Sequence, residues 1–264
     1  MTYKTKGIII KRINIGEADK IITFYTATMG KIRARAQAVR RSESKLAGHL
    51  ELFMLSDLIF AKGQNLDVVT SAQIINSFSS IRYDLYKTSF AYFIVELIEK
   101  LIPEELKDSR IFNLLTNTFQ ILDDKKLAMD QLPILLLFFE LKLLDLLGFA
   151  PQLLRCVHCA KEYSSSEGAQ RPNQKVLFSS LLGGILCENC KSFDRLAPSI
   201  SNEEIKLVNR LRSHNIDYGK FNNLKINFDI IRALSQKIDY FIRFIFGKNI
   251  KSSQLISQVA RLGD

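Results

Sequence analysis

The sequence lacks the short motifs of nucleotide hydrolases and zinc peptidases. Its 264 residues contain no Gly-x-x-x-x-Gly-Lys-Ser/Thr loop and no His-Glu-x-x-His segment. The three histidines, His49, His158 and His214, are far apart in the chain. Adjacent carboxylates fall at predicted helix ends, where they favour the helix dipole or cap a turn: Glu104-Glu105, Asp123-Asp124 and Glu203-Glu204. We therefore predict a non-enzymatic protein without catalytic residues. A nucleic-acid-modifying enzyme, with catalytic groups assembled only by folding, is the alternative.

The chain also has no segment typical of an export signal or a membrane span. Residues 1–12 include a run of three isoleucines, which is too short for the apolar core of a signal peptide. The most apolar stretch, residues 132–149, is interrupted by Glu140, Lys142 and Asp145, which indicates a core helix. Since cysteines in exported proteins form disulfides, the absence of a signal makes the reducing cytoplasm the expected compartment.

No cysteine is left outside two matched pairs. Cys156 and Cys159 form one Cys-x-x-Cys turn, and Cys187 and Cys190 form the other. Two such turns brought together make a tetrahedral sulfur site for one structural zinc ion, although the 27 intervening residues exceed the usual zinc-ribbon separation. Two disulfides or four buried thiols are the alternatives. A catalytic zinc is disfavoured because four thiolates leave no open coordination position.

The net charge of +10 is unevenly distributed along the chain. Residues 1–80 carry 12 Lys/Arg against 6 Asp/Glu, and residues 150–264 carry 17 against 10. The intervening residues 81–149 carry 8 against 11. Two basic regions on either side of an acidic one favour a polyanion such as nucleic acid over a membrane. A solvated surface that keeps the protein soluble is the alternative.

Hydrophobic periodicity divides the chain into strands followed by helices. Five strands separated by turn residues, several of them glycines, are predicted within residues 1–80, at 5–15, 20–28, 31–39, 50–61 and 65–75. Such a set suits a small closed barrel. From residue 81 the period becomes helical, with predicted helices at 83–102, 110–122, 132–147, 202–213, 229–246 and 253–262. The fold class is therefore α+β.

Residues 31–38 alternate small or apolar side chains with polar ones. In a strand this places Ile32, Ala34, Ala36 and Ala38 on one face. The opposite face carries cations about 7 Å apart, and the following loop adds more, so that six form the predicted DNA-binding set: Lys31, Arg33, Arg35, Arg40, Arg41 and Lys45. Phosphate spacing along a nucleic-acid strand is similar, which favours nucleic-acid binding over an ordinary half-exposed strand. Four aromatics are candidates for base stacking but are equally typical of a barrel core: Phe24, Tyr25, Phe53 and Phe60.

Several segments, taken in order, resemble the RecO family of bacterial recombination mediators. In the first part of the chain they are Lys6-Gly7-Ile8-Ile9, Gly16-Glu17-Ala18-Asp19-Lys20, Gly30-Lys31-Ile32-Arg33, Arg40-Arg41-Ser42 and Gly48-His49-Leu50-Glu51. Further on they are Phe139-Glu140-Leu141, Leu147-Gly148-Phe149-Ala150-Pro151 and Gly247-Lys248-Asn249-Ile250-Lys251-Ser252. The order of these pieces over nearly the whole chain carries the resemblance.

The resemblance implies an amino-terminal OB-fold barrel, a helical domain and a four-cysteine zinc module. The corresponding domains would be a barrel at 1–80, a first helical part at 81–150, a zinc-binding insertion at 151–195 and a second helical part at 196–264. The six cations would then contact DNA, and the four cysteines would hold zinc.

The resemblance also implies a function and partners. Members of the family bind single- and double-stranded DNA, anneal strands coated with single-strand-binding protein, whose tail they grip, and with RecR promote RecA loading. A cytoplasmic, nucleoid-associated bacterial protein is expected. An RNA-binding accessory protein with a barrel and a zinc module is a further alternative.

Overall fold

The computed structural model describes residues 1–104, 106–163, 175–213 and 227–260. Its first five strands are β1 (Thr2–Ile15), β2 (Asp19–Thr26), β3 (Gly30–Ala36), β4 (Leu55–Ala61) and β5 (Asp67–Asn76). The helices are α1 (Ser79–Tyr83), α2 (Leu85–Leu101), α3 (Ser109–Asp123), α4 (Leu132–Leu147), α5 (Asn202–Ser213), α6 (Phe228–Phe246) and α7 (Ser252–Ala260). Three short strands lie between α4 and α5: β6 (Val176–Ser179), β7 (Gly184–Cys187) and β8 (Ser199–Ile200).

The first five strands form a closed barrel in the order β1-β2-β3-β5-β4. All neighbouring pairs are antiparallel except β3 and β5, whose parallel pairing closes the barrel. This is an OB-type barrel, which confirms the predicted fold. Inward-facing side chains from every strand fill its interior, among them Ile9, Phe24, Ala34, Leu58 and Val69.

Local backbone geometry shortens two of the predicted strands. Strand β3 ends at Ala36, because Ala38 adopts a left-handed conformation with φ of 50°. Strand β4 begins at Leu55 rather than residue 50, because a 3₁₀ turn at Ala47–His49 and a left-handed Phe53 precede it. Periodicity alone predicted both strands too long, because the pattern of side chains does not reveal where the backbone angle φ becomes positive.

Capping side chains define the starts of α2 and α3. The predicted helix 83–102 is α2, which begins two residues later at Leu85, and the short helix α1 before it was not predicted. The extended residue Asp84 separates the two helices, and its carboxylate accepts hydrogen bonds from two backbone N–H groups of α2. Asp108 caps α3 in the same way. Helix α4 has Pro133 in its first turn, and the left-handed Gly148 ends it, as predicted.

The described chain forms two compact units. One comprises residues 1–127 and 250–264, which hold the barrel, α1–α3 and α7. The other comprises residues 128–249, which hold α4–α6 and the cysteine-bearing strands. Compactness does not define domain boundaries, so the four-part division made from the sequence stays a prediction. Among the described helices, none has the length and apolar character to cross a membrane.

Candidate metal centre and nucleic-acid interface

The first cysteine pair lies in a tight turn of the second unit. The turn is closed by a bridge between Arg155 and Glu162 and by a hydrogen bond of 2.8 Å from the Cys156 N–H to the Lys161 carbonyl. The Val157 N–H donates to the Ile185 carbonyl at 2.9 Å, which attaches the turn to β7. The first pair is thereby held against the strand that ends at the second pair.

The second cysteine pair lies where β7 ends and a 3₁₀ turn, Glu188–Phe193, begins. Gly184, at the start of β7, packs so closely on Gln152 that a Cβ there would overlap its carbonyl oxygen. Glycine is therefore required for β7 to approach the first pair. The backbone N–H of Cys187 points at the sulfur of Cys156, 3.5 Å away. The hairpin of β6 and β7 thus brings the two pairs together.

All four cysteine sulfurs lie within 4.8 Å of one another. The Cys159 and Cys187 sulfurs are 3.7 Å apart, and none of the four cysteines forms a disulfide. A tetrahedral ion with metal–sulfur bonds of about 2.3 Å requires sulfurs about 3.8 Å apart, whereas a disulfide requires about 2.05 Å. The geometry fits a four-coordinate metal ion, as the spacing predicted, and argues against the disulfide alternative.

Ionisation of the cluster also favours a bound cation. Burial raises the pKa of Cys156, but backbone N–H groups of Cys159 and Cys187 outweigh it and lower the pKa to about 6. Burial and the neighbouring sulfurs raise the pKa of Cys190 to about 12. One thiolate is favoured and further ones are opposed, because like charges this close repel. A divalent cation offsets that repulsion, so the donor set suits a thiophilic metal.

His158, inside the first pair, contacts the cluster from one side. Its ring stacks on Phe193, with centroids 3.5 Å apart, and its Nδ1 lies 3.5 Å from the Cys190 sulfur. A ring N–H at that distance donates to a thiolate and stabilises its charge. Within the described residues, His158 therefore supports a ligand and is not needed as one.

The predicted cationic face of β3 is real but interrupted at its first residue. Ala34 and Ala36 are fully buried in the barrel, while Arg33 and Arg35 face outward. Lys31 is half-buried instead. Its Nζ donates to two backbone carbonyls at the end of α2, those of Glu99 and Ile102, each at 2.7 Å. Burial lowers the pKa of Lys31. Two of its three N–H donors are thus occupied inside the protein.

The two arginines of β3 each have an acidic neighbour. Arg33 lies 3.1 Å from Glu104, and their side chains are 54% and 56% exposed. Arg35 lies 2.5 Å from Asp19, and its side chain is 48% exposed. Exposed pairs of this kind contribute little to stability, so a phosphate can replace the carboxylate at little cost.

The loop after β3 carries the most accessible cations. Arg40, Arg41 and Lys45 are all exposed, and in the described part of the chain none of the three forms a salt bridge. The Arg40 backbone N–H donates to the Ala18 carbonyl at 2.9 Å, and its guanidinium donates to the Gly16 carbonyl. The loop is therefore held to the β1–β2 turn while its charges face solvent.

The four aromatic candidates for base stacking are core residues. Phe24 and Phe60 pack edge to face within the barrel, Phe53 contacts Tyr92 and Phe119, and Tyr25 is buried. None of the four is accessible to a base. Binding through this surface would thus depend on charge, since these rings are unavailable for stacking.

Sequence reasoning missed the role of Asp19. One of its carboxylate oxygens accepts from Arg35, and the other accepts from the Ala38 N–H at 2.7 Å. The Ala38 N–H and the Arg35 side chain together lower the pKa of Asp19. An acid in the turn between two strands, facing a basic strand end, was the available signal.

Comparison with known proteins places the chain in one family. The family models described as Recombination protein O N terminal and Recombination protein O C terminal match residues 1–78 and 82–254. A protein named DNA repair protein RecO from Dehalococcoides mccartyi is 33% identical over 259 residues, which cover 98% of this chain and 96% of that protein. Proteins of the same name from Roseiflexus and Thermoanaerobacter are 33% and 31% identical, with 98% of this chain covered in each and 87% and 98% of the relatives.

These matches agree with the resemblance and with the expectation of a non-enzymatic protein, and they extend over both compact units. A closed OB-type barrel, a helical part and a clustered set of four cysteines lie within the matched residues. The chain belongs to the RecO family of DNA repair and recombination proteins.

Proposed function

We propose that the protein is a non-enzymatic recombination mediator that binds and anneals single-stranded DNA. Together with RecR it would promote RecA loading on DNA coated with single-strand-binding protein. The observation that carries the proposal is the group of exposed cations on β3 of an OB-type barrel and in the loop that follows it: Arg33, Arg35, Arg40, Arg41 and Lys45. We call these five residues the basic surface. Lys31 is left out of it because its ammonium group is bonded to α2.

Electrostatics explains how such a surface would promote annealing. Two DNA strands repel each other through their phosphates, and a cationic surface that contacts both lowers this repulsion. Arginine and lysine contacts to phosphate leave the base edges free to pair. The stacking candidates are buried, so the bases would not be held by the protein either. Binding is therefore expected to be largely independent of DNA sequence.

We also propose that the cysteine cluster holds one zinc ion with a structural role. Cys156, Cys159, Cys187 and Cys190 would supply all four ligands, which leaves no position for water or substrate. Bound zinc contributes folding free energy by joining the two turns. Cys187→Ser should therefore lose the metal and destabilise the β6–β7 hairpin. Metal analysis checks this, and fewer than one zinc ion per freshly purified wild-type chain would contradict the proposal.

Annealing of complementary strands coated with single-strand-binding protein tests the function. Arg40→Gln/Arg41→Gln/Lys45→Gln should slow annealing and weaken DNA binding. The control triple variant Arg82→Gln/Lys125→Gln/Lys126→Gln removes the same charge from exposed cations of the same compact unit and should have a much smaller effect. Equal effects would reject the basic surface. Preference for RNA over DNA of one sequence would instead indicate recognition of the 2′-hydroxyl.

The same proposal includes the partners and the compartment. RecR, RecA-loading sites on DNA and the tail of single-strand-binding protein are the expected contacts, in the cytoplasm near the nucleoid. Stimulation of annealing by RecR, measured with the wild-type protein and the basic-surface variant, separates partner binding from DNA binding. A stimulation that survives in the variant would indicate that RecR binds elsewhere on the chain.

A further inference from the structure

The turn between β1 and β2 is bonded to the basic surface through several contacts. Asp19 accepts two hydrogen bonds from Arg35, at 2.5 Å and 2.7 Å, through its Oδ2. Its Oδ1 accepts from the Ala38 N–H, and the Arg40 N–H donates to the carbonyl of Ala18. Asp19 therefore has two separable contacts, one to a guanidinium and one to the loop backbone.

The pairing of Asp19 with Arg35 resembles the contact that a phosphate makes. A carboxylate offers an arginine the same planar arrangement of acceptors, so the two anions compete for one guanidinium. Arg35 is half-exposed, which makes it reachable from solvent. The backbone contact does not compete with a phosphate in this way. The N–H of the left-handed residue Ala38 donates to Oδ1, and Arg35 takes no part in that hydrogen bond.

We propose that Asp19 is a positioning residue that competes with DNA. In the free protein it occupies Arg35, and in the complex a phosphate takes Arg35 over while Oδ1 keeps the loop in place. This inference rests on the proposed DNA binding by the basic surface. Its consequence is weaker binding than five free cations would give, which favours release of strands once they have paired. An isolated phosphate gains little binding free energy by displacing Asp19. A DNA strand gains more, because it also contacts Arg40, Arg41 and Lys45.

The chain offers a matched control for this idea. Glu17 lies in the turn that leads into Asp19 and is exposed, and within the described residues it makes no hydrogen bond or salt bridge. Glu17→Gln and Asp19→Asn remove the same charge from nearly the same place. Only Asp19→Asn releases Arg35, and asparagine retains a side-chain oxygen that can accept from the Ala38 N–H.

Fluorescence anisotropy with a labelled oligothymidylate tests the inference on the full chain. Asp19→Asn should tighten binding by up to about fivefold, the factor that corresponds to an exposed salt bridge. Glu17→Gln should tighten it less. In the Arg35→Gln background, Asp19→Asn should give only the gain seen for Glu17→Gln. Arg35→Gln by itself should reduce the log-log salt slope by about 0.7, since one phosphate contact is lost.

The outcomes separate this inference from the proposed function. Equal gains for Asp19→Asn and Glu17→Gln, or a gain that persists without Arg35, would show that Asp19 acts only as a distant charge. Weaker binding by Asp19→Asn would show that its main role is to hold the loop. An unchanged salt slope in Arg35→Gln would overturn the exchange even if the Asp19 variant folds poorly. If the wild type does not bind, the proposed function fails and the inference with it.

Discussion

At the residue scale, Lys31 makes contacts inside the protein, whereas Arg33 and Arg35 on the same strand face solvent. It lies on the same face of β3 as Arg33 and Arg35, yet its ammonium group binds the carbonyls that end α2. Cations at a helix carboxyl end are favourable because they complement its dipole. The strand pattern identified the face correctly, but a two-residue period contains no information about which helix covers that face.

Lys31→Met should lower the free energy of unfolding by more than it weakens the free energy of DNA binding. The substitution leaves the Glu99 and Ile102 carbonyls without their donor, at a cost of about 1 to 2 kcal/mol. Urea unfolding measures the first effect and oligothymidylate binding the second. Arg41→Met is the comparison, since Arg41 is exposed and should show the reverse order. A loss of affinity as large as that of Arg41→Met would return Lys31 to the basic surface.

Glu140 is a carboxyl group buried in the second unit. It lies on α4 and is 3% exposed. Burial, and then the charge of Asp239 on α6, raise the pKa of Glu140 well above its usual value. The protonated form of Glu140 is thus favoured in the folded protein. The contribution of Glu140 to the free energy of unfolding is therefore greatest at low pH, and it is lost as the pH rises from about 4.3 towards the pKa of the folded state.

Glu140→Gln should therefore become increasingly more stable than the wild type as the pH rises. Glutamine reproduces the neutral form of the carboxyl group and does not titrate. The difference in unfolding free energy between the two proteins, measured in urea at pH 5 and pH 8, isolates this group from all the others that titrate. A difference that stays constant, or that shrinks at pH 8, would contradict burial of an uncharged Glu140.

At the element scale, one carboxylate of α2 caps the start of α7, which also packs against α2. Glu96 accepts hydrogen bonds from the backbone N–H groups of Lys251 and Ser252 at the start of α7, and from the Ser252 hydroxyl. Burial opposes ionisation of Glu96, but these donors and Lys100 lower its pKa to about 2. A residue 155 positions away in the chain thus caps the last described helix.

Glu96→Ala should loosen α7 while the barrel stays folded. Loss of a cap and of a charged hydrogen bond costs about 1 to 2 kcal/mol. Faster amide hydrogen exchange in Ser252–Ala260, without a change in β1, is the expected readout. Because the pKa of Glu96 is lowered, its contribution is present above about pH 4.3 and falls as the pH approaches 2. Exchange in α7 that is unchanged by the substitution would show that side-chain packing alone holds the helix.

The elements that the sequence predicts well are those whose patterns lie within a few neighbouring residues. Strand alternation, helix periodicity and the two Cys-x-x-Cys turns are local patterns, and they predicted the barrel, most helices and the sulfur cluster. The break at Asp84 and the early end of β3 depend on single backbone angles. The contacts of Lys31 join it to residues 68 and 71 positions away, so no local pattern could predict them. The contacts of Asp19 lie 16 and 19 positions away, and only its place beside a basic strand end pointed to them.

At the scale of the whole molecule, positive charge is shared by both compact units. Residues 1–127 and 250–264 together carry 21 Lys/Arg against 15 Asp/Glu, and residues 128–249 carry 16 against 12. The acidic middle of the sequence does not form a unit of its own, because its first part folds with the barrel. Each unit therefore carries a net positive charge that favours polyanions at long range, and under the proposed function the basic surface would supply the close contacts.

This distribution makes salt dependence a direct test of the number of phosphates contacted. If the five residues of the basic surface each neutralise one phosphate, the log-log slope of single-strand affinity against salt should be about −3.5. Titration of an oligothymidylate complex with potassium chloride measures the slope. Arg41→Gln should reduce its magnitude by about 0.7, whereas Lys125→Gln, on the α3–α4 connection, should leave it unchanged. A slope near zero would exclude phosphate-driven binding.

The closure of the barrel has a consequence for where it opens first. Strands β3 and β5 are joined through only two residue pairs, Ala34 with Asp67 and Arg35 with Val68, whereas every other neighbouring pair shares at least seven. Thermal fluctuations separate the shortest ladder most readily. Arg35 belongs to that ladder, so the side chain proposed to bind a phosphate lies on the shortest strand pairing of the barrel. A DNA strand bound at Arg35 would thus stabilise the barrel at the strand pairing that has the fewest residue pairs.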